Sequence, residues 1–543
     1  MKRIVSLILV VVLSFTLFAG CGQKQEEQKP QEQQTATQET AQGSAQEQAP
    51  AQDAAAPADV RDTLNVSIAK VGFNCDGQAF DYVEDRRILF QIYEGLVDYD
   101  DLNGEVICKL AESYDVDEAG TTYTFHLRQD VKFHNGEPMK ASDVVFSLNR
   151  AMQPEILASK YLSFVENVEA VDDYTVTVTL SEPYAPFLSN LCWVFIYSEK
   201  EVTEQGAEFG TKAALAGTGP YYIDSMDPNV KIGLKAFPDY YLGEAAIKTI
   251  NFTVFTDSDA GMIAFESGDL DWYPVGSAEE FERINSTDGF TGESVVANHV
   301  TFVVVNPATG NEALKDERVR QAIAYALNKE DLNYAAFSGY AAEADFMDCP
   351  MYEVASPKGG DVFEYNPDKA KELLAEAGYA DGVDCGVLMT YNTGYYNTVA
   401  TAMQSQLAAV GITVQIELTD LAAGLARIRQ NTMTYDMSLS GYSGSGDYDN
   451  VRTFIDGRII TNSVDYTAAG YDQDYINETI DKAATTPDPN VRAQIYEELH
   501  NYINNTATQL PLLHKSTFFV WNDQLNVVNR TTYPRFYEFS WNS

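Results

Sequence analysis

From residue 60 onward the chain alternates between two hydrophobic periods. In "TLNVSIA" the apolar side chains Leu64, Val66 and Ile68 fall two apart, which predicts a strand. Ile88, Leu89, Ile92, Tyr93 and Leu96 follow helical spacing, with Gly95 near that helix's end. "TTYTFHLRQDVKF" returns to period two and puts Tyr123, Phe125 and Leu127 on one face, after a turn at residues 117–120. "DVVFSLNRAM" is amphipathic. Ser142 and Asp143 stand at its start, where hydroxyls and carboxylates meet unpaired N–H groups. Val176, Val178 and Leu180 alternate as another strand, and Gly217, Gly219 and Pro220 punctuate the chain before "YYIDSM".

Beyond residue 300 helical spacing dominates. "LKDERVRQAIAYALNKEDL" sets Val319, Ile323, Ala326 and Leu327 on one stripe. In "NPDKAKELLAEAGY", Asn366 can cap the start, Pro367 suits the first helical position, and Gly378 can close the end in the left-handed conformation. A helix through "VATAMQSQLAAVG" runs into the strand "ITVQIEL", an order that suggests α/β layering. "NVRAQIYEELHNYINNT" predicts a late helix and "STFFVW" a strand.

The first 59 residues follow neither period. Lys2 and Arg3 precede an apolar stretch from Ile4 to Phe18, then the small pair Ala19 and Gly20, the layout of a secretory signal. Cys21 follows at once. This resembles the bacterial lipobox, whose cysteine becomes lipidated, with Phe18 where that motif usually has Leu. Residues 22–59 hold no aromatic residue and no Leu, Ile or Val, so they cannot offset the entropy of ordering. Such a tether would span roughly 35 Å as a flexible coil.

Charge narrows the function. The 543 residues carry 36 basic and 80 acidic side chains, a net of −44. That repels phosphate backbones and anionic headgroups, so neither nucleic acid nor peripheral membrane binding is expected. Five histidines leave little room for a histidine-built metal centre. The six cysteines show no CxxC spacing. With Cys21 lipidated the remaining five cannot all pair, and Cys75 with Cys108 is a candidate bridge.

There is no HExxH, GxxxxGK, GxSxG or post-strand GxGxxG. "GYSGSGD" lacks nucleophile spacing and reads as a loop offering hydroxyls and backbone groups to a ligand. Acidic runs from Asp115 and Asp447 depart from the calcium-loop pattern, and His126 and His134 read as surface or packing residues. Aromatic residues beside Gly or Asn, such as Phe73-Asn74, Tyr391-Asn392 and Tyr442, suit a small-ligand cleft.

"YTFHLRQDVKFHNGEPMKASDVVFSLNRAM" (residues 123–152) resembles the signature of the peptide/nickel-type solute-binding proteins of bacterial ABC importers, family 5. "QIYEGLVDYD", "VEAVDDYTVTVTLSEPYAPFL", "GTGPYYI", "YNPDKAKELLAEAGY" and "YDMSLSGYSGSGDYD" match in the same order, so the resemblance covers roughly residues 62–540. It implies an α/β, type II periplasmic-binding-protein fold. Lobe one would take residues 60–97, 217–300 and 509–543, with an extra subdomain at 98–216. Lobe two would take 301–508, and crossings near 299–306 and 509–511 would form the hinge. The chain would be a monomer without a cofactor, partnered by a permease and an ATPase.

In oligopeptide-binding relatives an Asp after a "GW" segment pairs with the peptide's amino terminus. Here that alignment gives Tyr442 and Asp447; a dipeptide-type alignment puts Ser445 at the acid position instead. Ser443 lies between, and Phe73 and Asn74 would stand on lobe one's ligand-facing loop. Relatives hold the carboxylate end with a basic residue that "GYAAEADFMDCP" (residues 339–350) lacks; Arg427, Arg429 or Arg452 could substitute. The resulting expectation is capture of oligopeptides for import. Oligosaccharide capture and a ligand-sensing surface receptor are the alternatives, and no enzyme is expected.

Overall fold

The computed structural model describes residues 61–79, 83–100, 105–348, 355–429, 432–444, 447–459, 462–528 and 533–542. The leader, the tether and Cys21 lie outside these. One sheet of 11 strands runs through the described body. At one side, Thr63–Ile68 pairs in parallel with Thr249–Val254, which continues antiparallel into Lys231–Ala236 and Tyr221–Asp227. Leu64, Val66 and Ile68 are buried, as the period-two pattern predicts. At the other side, Val383–Tyr391 and Ile412–Thr419 are parallel and joined by helix Tyr396–Ala409. This is the strand–helix–strand layering read from "VATAMQSQLAAVGITVQIEL".

Two long strands join the sides. Phe290–Val305 and Gln509–Asn522 pair antiparallel from Phe290↔Asn522 to Val304↔Gln509. Trp272–Val275 attaches to the second of them and Met437–Tyr442 to the first. The register slips between Val296 and Val300, and again between Thr301 and Phe302. In the first slip residues 297–299 bulge opposite Lys515. A bulge bends a strand and turns its side chains, so the slips mark where the ribbon changes direction between the two sides.

A separate four-stranded sheet, Ala111–Val116, Thr122–Leu127, Thr175–Leu180 and Val165–Asp172, carries helix Ala141–Ala151 on one face. It has its own core, which includes Phe125, Leu148, Val176 and Val178, all under 2% exposed. Burying a side chain of that size contributes about 1.5–3 kcal/mol. Asp143 closes the start of the helix by accepting the Lys140 N–H at 3.0 Å.

Helix Pro367–Glu376 keeps all three predicted signals: Asn366 accepts the Lys369 N–H at 2.9 Å, Pro367 is first, and Gly378 has φ +93°. The stripe of Val319, Ile323 and Ala326 lies on helix Glu317–Ala326, which Leu327 ends, and a second helix, Lys329–Phe337, follows. Asn328 caps the second helix, its side chain accepting the Asp331 N–H. Cys75 and Cys108 form no disulfide. Cys75 is buried in the core beside Thr63–Ile68, whereas Cys108 is half-buried in a hairpin with Val97–Asp100.

Candidate ligand-binding cleft

The segment after Met437–Tyr442 is held from beneath by the bulged strand. Gly441 sits against the His299 ring and the Tyr396 hydroxyl, so close that a methyl group would collide with both. Asn298 donates to the Gly444 carbonyl at 2.7 Å, and His299 Nδ1 lies 3.1 Å from Ser443 Oγ. His299 Nε2 in turn meets the Tyr395 hydroxyl at 3.0 Å. Burial, then the charge of Lys515, hold the His299 pKa well below the usual histidine value, so the ring is neutral.

Asp447 opens a single helical turn, Tyr448–Val451, and accepts the Asp449 N–H at 2.9 Å. The same oxygen receives the guanidinium of Arg492, which is also buried. The other oxygen, Oδ2, has no hydrogen-bond partner among the described residues. Asp449 accepts from Tyr184 at 3.0 Å, Tyr496 at 2.7 Å and Arg452 at 3.2 Å. Arg452 is also bound by Asp456 at 3.0 Å and Asp481 at 2.9 Å. Burial works against the charges of Arg452 and Arg492. The neighbouring carboxylates outweigh it and raise both pKa values, so both guanidiniums stay charged.

The loop and turn that carry Ser443, Asp447, Asp449 and Arg452 border a cavity of about 460 Å³. Tyr442, Ser443, Asp447 and Asp449 line it from one side. Tyr161, Phe164, Tyr184 and Asn190, from the separate-sheet region, line it from the other. Phe164 and Tyr184 stack with centroids 3.9 Å apart. Tyr184 therefore walls the cavity and bonds across it to Asp449. Next to it, the Ala185 N–H donates to the Ala484 carbonyl at 2.8 Å.

Of the residues singled out in the sequence, Asp447, Tyr442 and Ser443 are brought together here. Ser445 lies outside the described residues. Tyr391 is buried beneath the site, its ring perpendicular to Tyr396 at 5.3 Å, and the Asn392 N–H bonds the Thr419 carbonyl. Phe73 is packed in the core, and the Asn74 side chain accepts the Asp76 N–H at 2.8 Å, beside an outer groove of about 900 Å³. None of these last four is among the cavity's lining residues. Arg427 is engaged by Glu417 and the Thr434 carbonyl. Pattern reading missed Tyr184, Asn298, His299 and Arg492. Tyr184 stood in the "SEPYAPFL" segment; the others carried no local signal.

The model of the bacterial extracellular solute-binding proteins, family 5, matches residues 105–457, most of the body that frames this cavity. The chain belongs to that family. Its members are extracytoplasmic ligand-binding proteins of ABC importers, working with permease and ATPase subunits, and are not enzymes. The glutathione-binding protein GsiB of Pectobacterium atrosepticum is 30% identical over 382 residues, 68% of each chain. Among solved structures, the periplasmic binding protein DppA of Helicobacter pylori, in complex with the peptide STSA, matches with a TM-score of 0.73 at 24% identity. It covers 89% of this chain and 99% of its own. The ABC transporter substrate-binding protein CtaP of Listeria monocytogenes matches with a TM-score of 0.78 at 21% identity, covering 89% and 100%. These likenesses give the solute-binding protein its fold, the α/β periplasmic-binding-protein architecture.

Proposed function

We propose that this solute-binding protein is a lipid-anchored receptor that captures oligopeptides by lobe closure and delivers them to an ABC importer. The observation that carries the reading is the cavity walled from two sides, with rings at its flanks and the Ser443–Gly444 segment exposed to it. Stacked rings accept side chains of varied shape, and backbone and hydroxyl groups suit a peptide main chain. In this reading lobe one is residues 60–97, 217–300 and 509–543, with the extra subdomain at 98–216, and lobe two is 301–508. The lobes hinge at the register slips. Asp447 Oδ2 is the acceptor for the peptide's ammonium, and Tyr442 and Ser443 lie along the bound chain. A glutathione-binding relative and a peptide-bound structural neighbour support a short peptide as the solute.

The stacked Phe164–Tyr184 pair favours oligosaccharide as the second reading. Native mass spectrometry of protein purified without denaturation separates the two, because a filled clamp opens only uphill and retains its cargo. A mixture of short peptides is expected; released sugars would overturn the peptide reading. For the anchor, Cys21→Ala is expected to move the protein from the membrane to the soluble fraction. Retention on membranes would refute lipidation.

A further inference from the structure

A chain of hydrogen bonds runs from the interior of the sheet to the cavity, and its direction is fixed at the buried end. Thr301 is fully buried, and among the described residues its hydroxyl meets one polar partner, the Tyr395 hydroxyl at 3.1 Å. A buried hydroxyl proton left without an acceptor is costly, so Thr301 donates and Tyr395 accepts. The Tyr395 proton then has His299 Nε2, 3.0 Å away, as its acceptor. The Tyr396 hydroxyl stands 3.5 Å from the same nitrogen. Whichever tyrosine donates, Nε2 accepts. A proton on Nε2 would instead set three donors, from His299, Tyr395 and Tyr396, against one another, with Thr301 already claiming the Tyr395 oxygen.

The neutral His299 ring carries one proton, and with Nε2 accepting, that proton is on Nδ1. Nδ1 lies 3.1 Å from Ser443 Oγ, so the ring donates to the serine oxygen. Ser443 is exposed and lines the cavity, and its own proton is left for a guest. The neighbouring acceptor is already taken, because Asn298 donates to the Gly444 carbonyl at 2.7 Å. This wall therefore offers the cavity a hydroxyl donor at Ser443, beside the carboxylate of Asp447.

We propose that Thr301, Tyr395 and His299 are positioning residues that aim the Ser443 hydroxyl proton at an acceptor of the ligand. Resting on the peptide reading above, that acceptor is a main-chain carbonyl of the bound peptide. Thr301 touches no ligand in this scheme; it acts by keeping Nδ1 of His299 the protonated nitrogen and Ser443 a donor rather than an acceptor.

The test has two arms, both on the full chain. Side-chain NMR of protein made with 15N-labelled histidine reads which ring nitrogen holds the proton. The four other histidines, replaced one at a time by Gln, assign the His299 signals by elimination. Protonation at Nδ1 is expected; protonation at Nε2 overturns the proposal without touching the peptide reading. Calorimetric titration with a tripeptide pool is the second arm. Ser443→Ala is expected to weaken binding about fivefold, the worth of one neutral hydrogen bond. Thr301→Val should weaken it at least about twofold, and Thr301→Ser should restore it. Thr301→Val added to Ser443→Ala should cost nothing further, because the threonine acts only through the serine. Losses that add in the double variant, or full affinity in Ser443→Ala, overturn the proposal and leave the peptide reading standing. A wild type that binds no tripeptide overturns the peptide reading, and the carbonyl as guest with it.

Discussion

Replacing Asp447 by Asn tests what the carboxylate does first. Asn keeps the side chain's shape and still accepts the Asp449 N–H. It removes the charge that matches Arg492, which is 2% exposed and has no water to turn to. Breaking a buried pair by neutralising one partner costs about 3–5 kcal/mol. Asp449 also attracts Arg492, so the lower end, about 3 kcal/mol, is expected. Asp447→Asn combined with Arg492→Met removes both desolvated charges and is expected to recover most of that loss. Urea unfolding at pH 7 measures both, through a shift in midpoint at constant slope. A single substitution costing under about 1 kcal/mol would refute the reasoning, as would a double variant no more stable than the single. The same proteins, held where they are folded, report on the ammonium assignment. Asp447→Asn is expected to weaken a free-amine tripeptide about tenfold and leave its N-acetyl form unchanged. Equal affinities for both forms would place the amine elsewhere.

Tyr184→Phe keeps the ring that stacks on Phe164 but removes a buried hydrogen bond to Asp449. At about 1 kcal/mol for such a bond, ligand release is expected to quicken about fivefold in stopped-flow displacement; an unchanged rate would mean that the contact does not open with the cleft. His134 is half-buried, its Nε2 2.9 Å from the Gly219 carbonyl, and desolvation pushes its pKa down to about 4. The unfolded chain takes up this proton near pH 6.5 and the folded chain does not. Stability is therefore full above pH 6.5 and falls as the pH drops toward 4, by about 2 kcal/mol between pH 7 and 5. Urea midpoints for wild type and His134→Gln at both pH values check this, and equal pH dependence in the two proteins would contradict it.

Local physics made most of the elements legible. Alternation in "TLNVSIA" and "TYTFHL", the Asn366–Pro367–Gly378 punctuation and the helix before "ITVQIEL" depend on neighbours a few residues apart, and all recur in the structure. The stripe ends at Leu327, and the Asn328 side chain caps the helix that follows. The ordered motifs disclosed the family, and "GYSGSGDY" drew attention to one wall of the cavity.

The opposite wall and the charge pairing were decided by tertiary structure alone. Asp447 and Arg492 are 45 residues apart in sequence, and Tyr184 and Asp449 are 265. Any of the chain's 80 carboxylates satisfies the same composition, so no local rule selects the partner. Local sequence sets the elements because helix and strand propensity act over one or two turns. The site belongs to the tertiary structure because burial, which makes a charge seek a partner, is a property of the packed chain.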